Sequence, residues 1–566
     1  MDAVRASDGA ARAGAKVLVI GLDGVTFDLL GPWIEGGRLP NLARLIREGA
    51  SGTLTTTVPP ISPSAWVSFA TGKNPGKHGL VDFVFPKPGS YDVAIVNSSS
   101  RTARSLWGLI GSHGRRVGVV GVPVTYPPER VNGFLVTDFL TPSDASDFTH
   151  PADLKDELKA AIGGFQLWPD ERYRSTPHVD RFVADLEAAV DNRTAAARYL
   201  MKTKPWDFFC VVYWTPDMLQ HDTWRILDPS HPQHDPIVAA RHRDTVIGYF
   251  EHLDRRVGEL LAEAGEDTQV IVMSDHGFGP THYFFLVNNW LAKMGLIQFK
   301  PTALTSAKRL LFRAGITPLN AFRVARALRL GHLRRRFRFQ KNAGITKRLF
   351  LSFKDVDWTR TRAYAVGSFG QIYVNLRGVR PSGTVAPGAE YEELRTHIIE
   401  EALKLRHPAT GEPIVERALR REEVYHGGHV DRMPDVVLIT NQHKYMAFGH
   451  ADFGSNRLVE PVFGLSGHHR PNGIVVLAGP GIQRGTQLDN ASIMDLAPTV
   501  LNAMGLPIPA DMDGTVLSQA FTDQFRASHP VVFDEEGSDR SVEFDAQSPD
   551  DETVIRDRLR GFGYVS

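Results

Sequence analysis

The sequence predicts an α/β fold with a mostly parallel central sheet. Five short apolar segments have the pattern of buried strands: residues 17–22, 117–122, 208–214, 269–273 and 473–477. Three helix-period segments lie between them: residues 105–111, 177–203 and 244–265. Apolar strands that alternate with amphipathic helices are typical of a parallel sheet covered by helices on both faces.

The composition is that of an ordinary globular protein. The chain has 566 residues, of which 42% are hydrophobic and 23% are charged, enough for one large core with insertions or for several domains. The 64 basic and 64 acidic side chains cancel, so net charge gives no argument for nucleic acid or an anionic membrane as a partner.

The cysteine content and the apolar segments bear on location. Cys210 is the single cysteine, so an intrachain disulfide is excluded, which suits a reducing compartment. No apolar segment reaches the roughly 18 residues of a membrane span, and residues 1–16 lack the apolar stretch of a secretory signal. We therefore expect a cytoplasmic protein without a membrane span.

The pattern along the chain predicts five segments. They are a disordered N-terminus at residues 1–15, the first part of an α/β core at 16–290, an inserted basic cap region at 291–432, the second part of the core at 433–525, and an acidic linker with a C-terminal helix at 526–566. Residues 291–362 carry a basic run: Arg323, Arg326, Arg329, Arg334, Arg335, Arg336, Arg338, Lys341, Lys347 and Arg348. This run fits either a solvated helical face or a surface that holds an anionic substrate.

Three of the predicted strands end on an aspartate. Asp23 follows the first strand; Asp217, with His221 four residues later, follows the third; Asp275, with His276 beside it, follows the fourth. In an open α/β sheet, ligands bind at the edge formed by the carboxyl ends of the strands. Aspartate together with histidine suits zinc or manganese better than calcium. The sequence therefore predicts a divalent-metal site at this edge.

A proline-rich turn holds a candidate nucleophile. Helix-like content begins at Ser64, which would place Ser62 at or just before a helix N-terminus. The dipole and N–H groups there favour a phosphate oxygen, and a nearby metal would make an alkoxide accessible. Alternatively, Ser62 or Ser64 only caps the helix, and the residues alone leave both interpretations open.

Taken in order, these motifs resemble the alkaline phosphatase superfamily, and above all its type I phosphodiesterase/nucleotide pyrophosphatase branch. The motifs are Asp23, Ser62 in its turn, Asn74-Pro-Gly-Lys-His78-Gly79, Pro216-Asp217-Xaa3-His221, Ser274-Asp275-His276-Gly277 and Gly467-Xaa-His469-Arg470. The resemblance covers residues 16–521 and implies an alkaline-phosphatase-like three-layer αβα fold, with a mostly parallel central sheet and an inserted cap region.

The resemblance also implies two divalent metal ions, usually zinc in this family, with manganese as the alternative. One ion would be held by Asp217, His221 and His469. The other would be held by Asp23, Asp275 and His276, with Ser62 as its fourth ligand and as the nucleophile.

Two spacings decide between neighbouring candidates. Ser62 is preferred to Ser64 because it lies ten residues before Gly72, as the nucleophile of the family lies before its Thr-Gly pair. His469 is preferred to His468 because the family pattern is Gly-Xaa-His-Arg.

The implied activity is hydrolysis of a small-molecule phosphate ester through a covalent phosphoserine. Two departures from the branch concern the substrate: Phe83 stands where the nucleotide pyrophosphatases have a phosphate-contacting asparagine, and the nucleophile is serine rather than threonine. The turn also lacks the sulfatase signature. The rival functions are a phosphonate hydrolase, a phosphoglycerate-mutase-like phosphotransferase, and an inactive metal-dependent binding module.

Overall fold

The structure, a computed structural model, describes residues 15–87, 89–169, 178–327, 349–449, 453–535 and 549–562. Residues 1–14, which belong to the segment predicted to be disordered, lie outside this description. So do residues 328–348, which hold most of the basic run, and residues 536–548 of the predicted acidic linker. None of the helices in the described ranges combines the length and the apolar character that crossing a membrane requires.

A nine-stranded sheet forms the centre of the fold. In spatial order its strands are β20 (Thr486–Ser492), β2 (Ala50–Thr55), β19 (Asn472–Ala478), β9 (Thr268–Met273), β1 (Lys16–Leu22), β8 (Phe208–Tyr213), β5 (Val117–Val120), β6 (Gly133–Val136) and β7 (Thr149–His150). They all run in one direction except β19 and β7, which are antiparallel to their neighbours. This confirms the predicted α/β fold with a mostly parallel central sheet.

Helices cover both faces of this sheet. Those on one face are α1 (Phe27–Glu35), α2 (Pro40–Glu48), α6 (Leu154–Ile162), α7 (Val179–Thr203), α8 (Thr215–Leu227) and α9 (Pro236–Ala264). Those on the other are α3 (Ser62–Thr71), α5 (Leu106–Ser112) and α15 (Leu496–Ala503). Strand β1 divides between the two cores, because Leu18 and Ile20 pack with the first set and Val17 and Val19 with the second. Alternating side chains of a doubly covered strand must divide in this way.

Five smaller sheets accompany the central one in the described part of the chain. They pair β3 (Val84–Pro86) with β4 (Val93–Ile95), β10 (Gly277–Pro280) with β18 (Gly467–Arg470), β11 (Tyr283–Leu286) with β16 (Tyr445–Phe448) and β17 (Val459–Pro461), and β21 (Ile508–Pro509) with β22 (Phe533–Asp534). The fifth is antiparallel and contains, in spatial order, β12 (Ala363–Val366), β13 (Gln371–Val374), β15 (Val436–Thr440) and β14 (Val415–Arg420).

The remaining helices lie around these sheets. They are α4 (Pro75–His78), α10 (Val287–Lys293), α11 (Ala303–Arg313), α12 (Pro318–Ala327), α13 (Ala389–Leu403), α14 (Arg421–Val424), α16 (Asp523–Ser528) and α17 (Pro549–Phe562). Of the basic run, Arg323 in α12 forms an ion pair with Glu460 at 2.6 Å.

Helix α9 begins at Pro236 rather than at residue 244, where the apolar period indicated its start. The Asp235 side chain accepts hydrogen bonds from the backbone N–H groups of Ile237 and Val238. Proline at the first helical position loses no helical hydrogen bond, and an aspartate cap satisfies donors that the helix itself leaves unpaired. The capping residues therefore extend the helix beyond its apolar stripe.

Asp138, two residues after β6, is a further buried carboxyl. It accepts hydrogen bonds from the backbone N–H groups of Val124 at 2.7 Å and Leu140 at 3.1 Å. Burial raises the pKa of Asp138 to about 7. The folded protein therefore holds a proton that the unfolded chain releases near pH 4, so this carboxyl's contribution to stability is complete at low pH and is lost as the pH rises through 7.

We expect Asp138→Asn to flatten the pH dependence of the free energy of unfolding between pH 5 and pH 7. The slope that the variant loses is about 1 kcal/mol per pH unit, with wild type becoming less stable towards pH 7. Denaturant titrations at several pH values measure it. Asp156→Asn, at an exposed position of α6, is the control, and parallel curves for wild type and Asp138→Asn would contradict the prediction.

Candidate functional site

Three adjacent strands at the middle of the sheet place the three aspartates together. Strand β1 lies between β8 and β9 and is parallel to both. Asp23 follows the end of β1, Asp275 follows β9, and Asp217 lies in the first turn of α8 directly after β8. The carboxyl ends of neighbouring parallel strands meet at one edge, so three aspartates that are far apart in sequence converge.

Asp23 is held in place by an indole. The Trp66 Nε1–H group of α3 donates a hydrogen bond to Asp23 Oδ2 at 3.0 Å. This approach requires a glycine in β1, because a Cβ atom on Gly21 would lie 2.4 Å from the Trp66 ring. Gly24, at a φ of +71°, donates its N–H group to Asp275 Oδ1 at 3.2 Å. Two glycines thus permit the close packing that fixes two carboxylates.

The first side-chain cluster contains Asp23, Asp275 and His276, all buried. His276 Nε2 lies 3.6 Å from Asp23 Oδ1 and 3.3 Å from Asp275 Oδ2. Neither of these two oxygens accepts a hydrogen bond from any described residue. Buried carboxylate oxygens without donors are costly unless a cation or another partner satisfies them.

The second cluster contains Asp217, His221 and His469. His469 Nε2 lies 3.0 Å from Asp217 Oδ1, His221 Nε2 lies 3.5 Å from Asp217 Oδ2, and the two Nε2 atoms are 3.2 Å apart. The His276 ring stacks on the His469 ring with centroids 3.8 Å apart, and Asp217, His276 and His469 themselves form a compact group. The two clusters are therefore contiguous.

Backbone carbonyls set the orientation of all three imidazoles. Nδ1 of His221 lies 2.9 Å from the carbonyl oxygen of Gly467, and Nδ1 of His469 lies 2.9 Å from that of Pro60. Nδ1 of His276 lies 3.0 Å from the carbonyl oxygen of Gly277. A carbonyl can only accept, so each Nδ1 carries a proton and each Nε2 faces the clusters, which is the orientation of metal-binding histidines.

The charges of the site favour cations. Burial, followed by repulsion from Asp275 and Asp217, raises the pKa of Asp23 well above its usual range. Burial and the Asp217 charge raise the pKa of Asp275 to about 8. Burial opposes ionisation of Asp217 as well, but the imidazoles of His221 and His469 hold its pKa below the usual range. Divalent cations would remove this repulsion, and the oxygen and nitrogen donors fit zinc or manganese.

Ser62 is the first residue of α3, and its side chain faces the first cluster. Ser62 Oγ lies 3.1 Å from His276 Nε2. The N-cap position belongs to Ile61, and no side chain caps the helix. Ser64 Oγ donates instead to the carbonyl oxygen of Leu80 at 3.3 Å. Of the two serines left open by the sequence, Ser62 is therefore the one beside the predicted ligands, at the positive end of a helix dipole.

The sequence pattern favours His469 over His468. In the structure His468 nevertheless adjoins the second cluster, where it groups with His221 and His469. Its ring is buried and stacks on Phe369 with centroids 4.6 Å apart. Neither ring nitrogen has a hydrogen-bond partner among the described residues. Side chains at neighbouring positions of a strand point to opposite faces, so only one of the two histidines is expected at the site from the sequence. The Gly-Xaa-His-Arg pattern is the ground for choosing His469.

The Asn74–Gly79 motif contacts α3, the helix that begins with Ser62. Asn74 caps α4 by accepting a hydrogen bond from the N–H group of Gly76. His78 Nε2 lies 2.9 Å from Ser68 Oγ in α3. Burial lowers the pKa of His78 to about 3, so this imidazole is neutral and helps to fix the helix that begins with Ser62.

An apolar cavity adjoins the clusters. Asp23, Ser62 and Asp217 line it together with aromatic and aliphatic side chains: Phe83, Phe139, Trp168, Trp214, Met218 and Leu559. Phe83, which stands where the resemblance implies a phosphate-contacting asparagine, is thus part of its wall.

Comparison with known proteins adds several similarities. Human arylsulfatase K is 29% identical over 97 residues, which is 17% of this chain and 17% of that protein. Phosphonoacetate hydrolase from Sinorhizobium meliloti, in complex with phosphonoformate, is 14% identical with a TM-score of 0.49, over 87% of this chain and 95% of that chain. An inactive variant of murine ectonucleotide pyrophosphatase/phosphodiesterase 5, in complex with AMP, is 13% identical with a TM-score of 0.47, again over 87% and 95%.

One comparison covers most of the chain and identifies its family. Residues 17–454 match the family described as type I phosphodiesterase/nucleotide pyrophosphatase. This range includes β1, β8 and β9. The family that the ordered motifs predicted is thereby confirmed: the chain belongs to the type I phosphodiesterase/nucleotide pyrophosphatase family.

Proposed function

We propose that the protein is a two-metal phosphoric ester hydrolase, of the phosphodiesterase or phosphatase type, that acts on a small molecule through a covalent phosphoserine at Ser62. Membership of the family supports hydrolysis of a phosphoric ester. The observation that carries the rest of the proposal is the position of Ser62 Oγ, 3.1 Å from His276 Nε2 and beside two contiguous Asp–His clusters.

The two clusters are the proposed ligands of two divalent cations, with zinc as the expected metal. Asp23, Asp275, His276 and Ser62 would hold one, and the second cluster would hold the other. Such cations lower the pKa of a serine hydroxyl and of water and neutralise charge on a transferring phosphoryl group. The support comes from the donor-free oxygens of Asp23 and Asp275 and from the three oriented Nε2 atoms.

Ser62 performs the first step of the proposed reaction. Its Oγ atom, after loss of the hydroxyl proton, attacks phosphorus, and the bond between phosphorus and the alcohol oxygen breaks. The alcohol leaves with a proton, and the phosphoryl group remains on Ser62. The N-terminus of α3 favours negative charge at this position.

Water completes the reaction. A water oxygen attacks the phosphorus of phosphoserine, loses a proton, and releases Ser62 Oγ, which regains one. Release of the phosphoryl group to water distinguishes a hydrolase from a mutase-like phosphotransferase, which returns the group to its substrate. Product analysis of the same reaction also separates phosphonate cleavage, which breaks a carbon–phosphorus bond.

We expect Ser62→Ala to lower turnover by about a thousandfold or more, because it removes the nucleophile. Ser64→Ala is the matched control, since its Oγ contacts the carbonyl oxygen of Leu80 and not the clusters. The assay uses zinc- or manganese-loaded protein with bis-p-nitrophenyl phosphate and p-nitrophenyl phosphate. Mass spectrometry of acid-quenched wild type should find phosphoserine at residue 62.

Two results would contradict these assignments. Full activity of Ser62→Ala would exclude Ser62 as the nucleophile. Absence of metal-dependent turnover of both esters by wild type would contradict hydrolysis of such substrates.

We expect His469→Ala to bind fewer zinc ions per chain than wild type, because His469 Nε2 faces Asp217 and its ring is fixed by Pro60. His468→Ala, at the adjacent position, is expected to retain the wild-type metal content. Elemental analysis after dialysis measures both variants. Equal losses would show that His468 is also a ligand.

Trp66→Phe should weaken zinc binding by about 10- to 100-fold, the usual effect of removing a group that orients a metal ligand. The variant keeps an aromatic ring but loses the N–H donor to Asp23. Trp107→Phe is a matched control in the same core, where the lost N–H group donates to Glu129. Competition with a chelator gives both affinities, and equal affinity in Trp66→Phe and wild type would refute the role of the indole.

A further inference from the structure

Helix α17, close to the C-terminus, contributes a side chain to the cavity beside the candidate site. Ile555 and Leu559 on this helix are buried, at 0% and 1% exposure. The Arg556 guanidinium donates a hydrogen bond to the carbonyl oxygen of Val93 at 2.9 Å. Helix α17 is therefore held by buried apolar side chains on one face and by polar contacts at the edge of that face.

A second arginine fixes the helix beside the aromatic wall. Arg558 Nη1 donates to the carbonyl oxygen of Thr141 at 2.6 Å, and its guanidinium carbon lies 4.9 Å from the centre of the Trp168 ring. Such a cation–π contact stabilises the docked helix. Leu559, one residue further on, reaches the cavity that Ser62 lines.

The walls of this cavity are aromatic and form one connected cluster. The Phe139 ring centre lies 6.2 Å from that of Phe83, 5.5 Å from that of Trp168 and 5.5 Å from that of Trp214. The Trp168 and Trp214 centres are 5.2 Å apart. Offset and edge-to-face contacts at these distances hold aromatic rings in fixed orientations. The aromatic wall is therefore a rigid surface that suits an apolar group.

Little space remains in the cavity while Leu559 is in place. The space open to the centre of a water molecule is about 20 Å³, which is room for about one water. The organic group of an ester bound at Ser62 would need more space beside Asp23 and Asp217. The other lining residues lie between positions 23 and 218, whereas Leu559 comes from α17, a 14-residue helix close to the C-terminus. Leu559 is therefore the lining side chain that a shift of α17 alone would move.

We propose that the aromatic cavity is the subsite for the organic group of the ester, that this group is apolar, and that Leu559 determines the size of the group that is accepted. The proposal rests on the proposed function, because it assigns a substrate class to the same site. In physical terms, an aryl or branched alkyl group takes the place of the Leu559 side chain against the aromatic wall. The apolar wall would discriminate by size, as hydrophobic pockets do.

The test compares two aryl esters on the same zinc-loaded protein: phenyl phosphate and 2-naphthyl phosphate. Leu559→Ala should raise the ratio of kcat/KM for the naphthyl ester to that for the phenyl ester by about tenfold, and Leu559→Phe should lower it. The ratio does not depend on the fraction of folded enzyme, because both rates come from one sample. Val554→Ala is the control, since Val554 lies on the same helix but is 43% exposed, and it should leave the ratio unchanged.

An unchanged ratio in both Leu559 variants would overturn the proposal. Fluorescence titration with 2-naphthyl phosphate supplies a readout that does not require turnover: Leu559→Ala should bind it more tightly than wild type, and equal affinity would overturn the proposal as well. Failure of the proposed function has a different signature, namely full activity of Ser62→Ala or absence of metal-dependent turnover in wild type.

Discussion

The burial of three carboxyl groups at one edge of the sheet is the constraint on which the rest of the site depends. Asp23, Asp217 and Asp275 lie at the ends of three adjacent strands and are almost wholly removed from water. A buried carboxylate that lacks a partner costs several kcal/mol. The imidazoles of His221 and His469 beside Asp217 offset part of this cost, but Asp23 Oδ1 and Asp275 Oδ2 have no hydrogen-bond donor among the described residues. Such an edge is suited to binding positive charge.

Much of the surrounding architecture serves to keep these groups in one geometry. The indole of Trp66, the N–H group of Gly24 and three backbone carbonyls each orient one carboxyl group or imidazole of the site. Each contact is worth only about 1 kcal/mol in stability. Their combined effect on the orientation of these groups is larger, because a preorganised site does not have to rearrange when it binds its ligand.

The sequence predicts the residues of this edge well and the contacts that support them poorly. Asp23, Asp217 and Asp275 were identifiable because an apolar strand that ends on a carboxylate is a signal within a short stretch of sequence. In a parallel sheet, the ends of such strands lie at one edge, so the signal also gives the location of the site. Ser62 could be separated from Ser64 only by the spacing of the family, since both serines suit a helix start. The Trp66–Asp23 hydrogen bond left no such signal, because it joins positions on separate elements and depends on the absence of a side chain at Gly21.

The antiparallel direction of β19 has a consequence during synthesis of the chain on the ribosome. Because β19 runs against its neighbours, its beginning lies at the edge where the parallel strands end, and β18 with His469 directly precedes it. The cluster of Asp23, Asp275 and His276 has all its residues once the segment that follows β9 has been synthesised. The cluster of Asp217, His221 and His469 lacks His469 until β18 has been synthesised. The residues of one site therefore become available at separate times, and β9 lacks one of its two sheet neighbours in the interval.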